Sequence, residues 1–288
     1  MVVESLKEFS FDLDAYEKYL HVWLNGIVSE ISHWRRAMET VGPIWNNFEE
    51  YYGSTSDEIK LIDIGSGPFA VSSSKSNVCI TAVDPLAYGY KHLKQKYKIS
   101  AGATPEYCMV ERLTEKFDAN TFDIVYMRNA LDHAFNPIFG IMQMIAICKI
   151  GGKVVLQHSA NEALRENYHG FHQWNLCVEN GSFIVWRRDD KYNVSKMLSE
   201  YADVIIEDKP ENWVGVIMAK KKDVSIDENL QKSLIRILDG KIFEKLLDYA
   251  VLEAYSTKNN LISLINKIPI LNAIGYKIYK KIHSRNKL

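Results

Sequence analysis

Leu61-Ile62-Asp63-Ile64-Gly65-Ser66-Gly67-Pro68 is the stretch whose reading decides the architecture. An apolar run ends in an acid, and then Gly65 and Gly67, lacking a β-carbon, let the backbone turn tightly and approach a ligand. Pro68 suits the first turn of a helix. A strand, a glycine turn and a helix in that order form a nucleotide or nucleoside pocket at the carboxyl edge of a parallel sheet. The next apolar run, AVDPL, ends in Asp84, at about the ~20-residue separation where an acid accepts hydrogen bonds from ribose hydroxyls. The plainer role for Asp84 is to cap the helix that follows.

Outward from this stretch, short apolar runs alternate with helical periods, as in βαβ units. Strands are predicted near Lys60–Ile64, Val78–Val83, Tyr107–Val110, Phe122–Met127 and Lys153–His158. Helices are predicted near Tyr88–Tyr97, Pro137–Lys149 and Val194–Tyr201. Asn180-Gly181 between two alternating apolar runs predicts a hairpin, inserted at about 173–188. Strands near Asp203–Ile206 and Val214–Ala219 have no long crossover between them and are expected to pair antiparallel. Upstream, Tyr16 to Tyr52 carries apolar residues at helical spacing, broken at Gly42-Pro43, which reads as two helices. Residues 1–56 are thus a helical cap, 57–222 the core, and 223–288 a helical, basic extension.

The motifs Asp63-x-Gly65-x-Gly67, Asp84 and FDIVYMRNALDH (Phe122 to His133) resemble those of class I S-adenosylmethionine-dependent methyltransferases over about Ile59 to Lys222. The resemblance implies an α/β, Rossmann-like, doubly wound seven-stranded sheet with an antiparallel last strand. It implies S-adenosyl-L-methionine as cofactor, held by the first loop (Asp63, Gly65, Ser66 and Gly67) at the methionine end, by Asp84 at the ribose and by Glu111 at the adenine, with Pro85, Arg112 and Asn129 also in the cofactor site. Phe69 stands where the family often has a third glycine. A dehydrogenase shares the strand, turn and helix, but usually keeps all three glycines and no Asp two residues before the first. A closer likeness, through SEISHWRR (Ser29 to Arg36), DPLA, RNALDH and HQWN, is to a bacterial subgroup linked with polysaccharide or glycan assembly.

Methyl transfer from a sulfonium asks the protein to align the acceptor and, for a hydroxyl, to remove a proton. Histidine suits that task near neutrality. Of eight histidines, His133, His158, His169 and His172 fall beyond the carboxyl ends of the strands. His133, His158 and His172 are the catalytic candidates, while structural roles for His133 and His158 stay open. Asn161, Glu162, Arg165, Tyr168, Gln173, Trp174 and Asn175 mix hydrogen-bonding groups with aromatics, as sites for polyhydroxylated ligands do. Glu30 and Trp34, one helical turn apart, are candidates for a lid over the acceptor, or for a core Trp beside a solvated Glu. Asp132 and Glu162 form no recognisable metal constellation, so no metal is expected. The acceptor expected is a sugar or glycan hydroxyl. The alternatives are a small metabolite or lipid head group, or a non-enzymatic binding or scaffold subunit on the same fold.

Composition bounds these readings. The chain of 288 residues is 47% hydrophobic and 25% charged, ordinary globular usage, with a formal net charge of -1. The core has no basic stripe, which argues against nucleic acid as a partner. Four cysteines without a CxxC pair point to free, buried thiols in a reducing cytoplasm. The polar, acidic N-terminus does not have the build of a signal peptide. From Lys258 onward there are basic residues and no acids, so the tail is expected either to contact an anionic membrane peripherally or to pack on a protein surface. The sequence carries no reading of oligomeric state.

Overall fold

The computed structural model describes residues 2–6, 26–27, 29–38, 48–100 and 102–226. The predicted basic tail and most of the predicted N-terminal helices lie outside the described residues. The elements are β1 (Val2–Val3), α1 (residues 29–37), α2 (Glu49–Tyr52), β2 (Ile59–Ile64), β3 (Val78–Asp84), α3 (Ala87–Lys96), β4 (Glu106–Tyr107), α4 (Leu113–Lys116) and β5 (Phe122–Arg128). They continue with α5 (Pro137–Ile147), β6 (Cys148–Ser159), α6 (Glu162–Arg165), β7 (Asn175–Glu179), β8 (Ser182–Arg187), β9 (Asp190–Asn193), α7 (Val194–Met197), β10 (Ala202–Glu207) and β11 (Trp213–Lys220).

Seven strands form the main sheet in the order β10-β11-β6-β5-β2-β3-β4. The five from β6 to β4 run parallel, and β11 is antiparallel to both neighbours. The chain leaves β2 toward β3 on one side and later returns to β5 on the other. That reversal opens a crevice beyond the carboxyl ends of β2 and β5, where ligands bind in doubly wound sheets.

Alternation along the strands explains the layers. Ile62, Ile64, Val125, Met127, Val154 and Leu156 face one core. Leu61, Ile124, Tyr126 and Val155 face the other, against Phe48 and Tyr51. On the first face α5 is buried along its whole length, as a helix apolar all round must be. Asn136 caps it, accepting from the Phe139 amide at 3.0 Å, and Pro137 starts it.

The predicted hairpin is present, with Glu179 opposite Ser182 and both turn residues at positive φ (Asn180 49°, Gly181 72°). It belongs to a larger unit than expected: β7, β8 and β9 form a second, four-stranded sheet closed by β1, which pairs parallel with β9. The helix predicted over Val194–Tyr201 is one turn, and the third core strand is only Glu106–Tyr107. One thiol departs from the expectation of burial: Cys79 is exposed, whereas Cys108, Cys148 and Cys177 are buried.

Candidate active site

The glycine turn is held by acids rather than merely preceded by them. Asp63, 3% exposed, accepts the Val71 amide at 2.8 Å and so closes the loop back onto its own strand. Asp84, 5% exposed, accepts Gly67 N–H at 3.0 Å and Leu86 N–H at 2.7 Å. Asp84 therefore fixes both the turn and the chain entering α3, while still lining the cleft; a carboxylate has acceptor capacity beyond two bonds. Gly65 and Gly67 have φ of 66° and 62°. A β-carbon on Gly65 would lie 2.4 Å from that of Ala130, in the loop after β5. The first glycine is thus required by the packing of the two loops that flank the crevice.

The cleft and its open mouth together span ≈ 620 Å³. Its lining contains the carboxyls of Glu30, Asp84 and Glu111, and no Lys or Arg among the described residues. Met109, Val110, Leu86 and Phe135 supply apolar walls on the β3–β4 side. Glu111, 2% exposed, accepts the Asn136 amide at 3.1 Å. Burial pushes Asp63, Asp84 and Glu111 each up to about 7. Such a wall suits a hydroxyl-rich, cationic ligand; a dinucleotide's pyrophosphate would meet acids and no basic partner.

The lining also contains Gly65, Gly67, Pro85 and Asn129. Three expected residues are not part of it. Asp63 holds the Val71 amide behind the turn. Arg112 pairs with Glu115 on the outside, its Nε 2.9 Å from the carboxylate, and Ser66 turns its hydroxyl to the Gly67 carbonyl at 3.1 Å. Position 112 follows a buried acid in a tight turn, and that geometry directs alternate side chains to opposite sides.

Helix α1 closes the cleft from above. Trp34 donates its indole N–H to Glu30 at 2.8 Å and packs edge-on to Phe69 and Tyr90 at 6.2 and 6.3 Å. A β-carbon on Gly67 would meet Trp34 at 3.2 Å. The lid expected over the acceptor thus lies on the glycine turn itself. Phe69, in place of a third glycine, is what Trp34 rests on.

Two adjacent side chains, Asp132 and His133, meet a third from forty residues away, His172, at the carboxyl edge of β5 and β6. Asp132, 2% exposed, has Oδ2 at 2.8 Å from His172 Nδ1 and 3.4 Å from His133 Nε2; the two ring nitrogens are 3.3 Å apart. His133 also lines the cleft, its ring 5.3 Å from that of Phe171. Burial opposes the charge on Asp132, but the neighbouring His133, His172 and His158 outweigh it and hold the carboxyl below its ordinary value. In His172 burial is likewise outweighed, here by the bond to Asp132, and the imidazole titrates above its usual range. His158, 1% exposed, has neither ring nitrogen bonded, and burial pushes it down to about 4. That shift makes His158 a poor base at neutral pH.

The expected acceptor residues separate into two groups. Glu162 is half-buried and close enough to Asp132, His172 and His133 for their charges to act on it; Arg165 is exposed on the same short helix. The others hold the loop together. Gln173 donates to the Tyr168 and Gly170 carbonyls, and Asn175 bridges Leu164 N–H and the Tyr168 hydroxyl. Asn161 accepts the Trp186 indole N–H at 3.0 Å. Trp174 is a core residue with the Arg187 guanidinium 4.2 Å above its ring. The dense polar groups there order the loop through bonds within it. Phe171 and Tyr90, which line the cleft, were missed. Helical spacing from Ala87 on α3 offered a signal for Tyr90, and the flanking histidines one for Phe171.

Fold and cleft define a doubly wound α/β protein with an acid-lined nucleoside-type site at the sheet's switch point. No protein-family model and no curated protein matches the chain. Among solved structures, the CurJ carbon methyltransferase is 13% identical over 65% of this chain and 52% of its own, with a TM-score of 0.42. Phosphoethanolamine N-methyltransferase 2 of Haemonchus contortus, in complex with S-adenosyl-L-methionine, is 14% identical over 61% of this chain and 51% of its own, with a TM-score of 0.42. An S-adenosylmethionine dependent methyltransferase from Mesorhizobium loti is 11% identical over 57% and 92%, with a TM-score of 0.38. The chain spans about half the length of the first two. At these scores the likeness adds nothing to the sheet order already described.

Proposed function

We propose that this chain is an S-adenosylmethionine-dependent O-methyltransferase acting on a sugar or glycan hydroxyl. S-adenosylmethionine supplies, when bound, a methyl group already activated on a sulfonium. The residues present fit that group: Asp84 keeps acceptor capacity for ribose hydroxyls, apolar walls beside Glu111 form a slot for a flat ring, and the acids suit a cationic ligand. Helix α1 excludes water from above.

The observation that carries the O-transfer reading is the Asp132–His172 contact at 2.8 Å, joined to the cleft wall through His133. With Nδ1–H donated to Asp132, His172 keeps Nε2 to accept a proton, and the buried carboxylate stabilises the imidazolium that results. Glu162 and Arg165 remain for hydroxyls of the acceptor. The reading keeps the chain in the cytoplasm, where its thiols stay reduced.

The test is calorimetry with S-adenosylhomocysteine together with single-turnover methyl transfer to a panel of nucleotide sugars. His172→Ala is expected to lower turnover by about 10²–10⁴-fold with donor-product affinity unchanged. Full turnover in that variant removes histidine from the chemistry. No heat with S-adenosylhomocysteine, on folded protein, removes the cofactor and with it the whole reading.

A further inference from the structure

We infer that Asp132, His133 and His172 form a binding site for a divalent transition-metal cation on the wall of the donor cleft. The geometry is that of a facial triad. Two imidazole nitrogens and one carboxylate oxygen lie 2.8, 3.3 and 3.4 Å from one another. Ligands bonded at about 2.0–2.2 Å and spaced by roughly 90–110° around one ion sit about 2.8–3.5 Å apart.

Hydrogen bonding accounts for less of the arrangement. A proton on His172 Nδ1 satisfies the 2.8 Å contact with Asp132 alone. The 3.4 Å contact between His133 and Asp132 lies beyond a good hydrogen bond. A second, independent observation points the same way. Asp132 Oδ1 and both nitrogens of His158 are buried without a hydrogen-bond partner, and buried polar groups of that kind stand beside a partner the polypeptide does not supply.

Two imidazoles and one carboxylate favour the class that contains Zn²⁺ and Fe²⁺ over Mg²⁺ or Ca²⁺, which take oxygen ligands. Three protein ligands leave coordination positions open, as in catalytic rather than structural sites. Since His133 also lines the donor cleft, those positions suit an acceptor with two neighbouring oxygens. This deepens the proposed function and rests on it only for the acceptor: a cation, rather than imidazole, makes the hydroxyl acidic, and it takes the place of the proton that Asp132 and His172 share.

The full chain, stripped with chelator, is titrated with Zn²⁺ and separately with Mg²⁺ by calorimetry. One Zn²⁺ per chain is expected, weakened at least tenfold in His133→Ala, His172→Ala and the isosteric Asp132→Asn, and unchanged in His169→Ala, which removes an exposed histidine. A urea midpoint and m-value close to wild type in chelator show that each variant is folded. If the variants fail to fold, Co²⁺-loaded wild type decides: two exchangeable, paramagnetically shifted imidazole N–H resonances support the site, and fewer overturn it. Zn²⁺ affinity equal in all variants, or preference for Mg²⁺, also overturns it. Methyl transfer that survives complete chelation overturns the cation's role and leaves His172 as base, whereas stoichiometric Zn²⁺ without any transfer removes the proposed function alone.

Discussion

The antiparallel pair β6–β11 buries an ionisable side chain at each end, and the two ends treat it in opposite ways. At the amino edge of the parallel strands Lys220, with a fully buried side chain, has four acceptors. They are the Cys148 carbonyl at 2.8 Å, Asp223 at 2.8 Å, Asn120 at 3.0 Å and the Ala146 carbonyl at 3.3 Å. Two of these are carbonyls at the C-terminus of α5, where a cation opposes the helix dipole. At the carboxyl edge neither ring nitrogen of His158 has a hydrogen-bond partner among the described residues. Equal burial with unequal satisfaction separates the end that secures the fold from the end left open for chemistry.

Lys220→Met attacks the satisfied end and carries the largest expected effect on stability. The Cys148 carbonyl and the Asn120 and Asp223 oxygens lose the Lys220 donor, while the Ala146 carbonyl keeps Asn120 N–H at 3.2 Å; a buried acceptor left unpaired costs roughly 1–3 kcal/mol. The urea midpoint is expected to fall while the m-value holds. An unchanged midpoint would mean that solvent reaches those carbonyls, and the contrast between the ends would disappear.

The donor cleft resembles the Lys220 end, since its buried acids have backbone partners. Asp84→Asn keeps the shape and removes the charge that accepts Gly67 and Leu86 N–H. A hydrogen bond to a charged group contributes about 1.5–3 kcal/mol, so S-adenosylhomocysteine affinity is expected to fall by about 10–100-fold in calorimetry. Affinity equal to wild type would detach Asp84 from the ligand and leave it only the turn and the chain entering α3.

The same carboxyl gives a pH signature. Burial raises Asp84 from 3.8 to about 7 in the folded chain. Between these values the folded chain keeps a proton that the unfolded chain has released, so folding binds protons and stability falls as pH rises through that window, levelling above it. The limiting slope is about 1.4 kcal/mol per pH unit for one group. Comparing wild type with Asp84→Asn cancels Glu111, which shifts the same way, and His158, which opposes it; Asp63, raised in part by the Asp84 charge, shifts less in the variant and adds to the difference in the same direction. The variant is expected to gain on wild type between about pH 5 and pH 7, read from urea midpoints; a constant difference would show that Asp84 is ionised throughout.

Much of this architecture was legible because it is local. The glycine turn, Asp84 and the Asn180-Gly181 hairpin are each set by a few adjacent residues, and the period-2 runs bounded most strands within a residue or two. The four-stranded sheet was not legible, because its closing strand is two residues at the N-terminus pairing with β9, some 190 positions away. Nor was the meeting of Asp132 with His172, forty residues apart, since it depends on how the loop after β6 folds back beneath Gln173 and Asn175. Those two read as ligand-binding groups because a buried amide that holds a loop and an amide that holds a sugar look alike in sequence.

The smallest expected effect probes the unsatisfied end. In His158→Leu an apolar side chain of similar bulk replaces an imidazole whose burial is uncompensated. Removing a buried polar group that makes no hydrogen bond is near neutral or stabilising, so the urea midpoint, measured in chelator at neutral pH, is expected to stay within about 1 kcal/mol of wild type. A loss as large as that of Lys220→Met would mean that the two ends are alike and that His158 has a partner within the polypeptide. A fall in turnover with stability held would instead identify its partner as the acceptor or the cation, since a side chain that contributes nothing to the fold can matter to the reaction only through what arrives at the site.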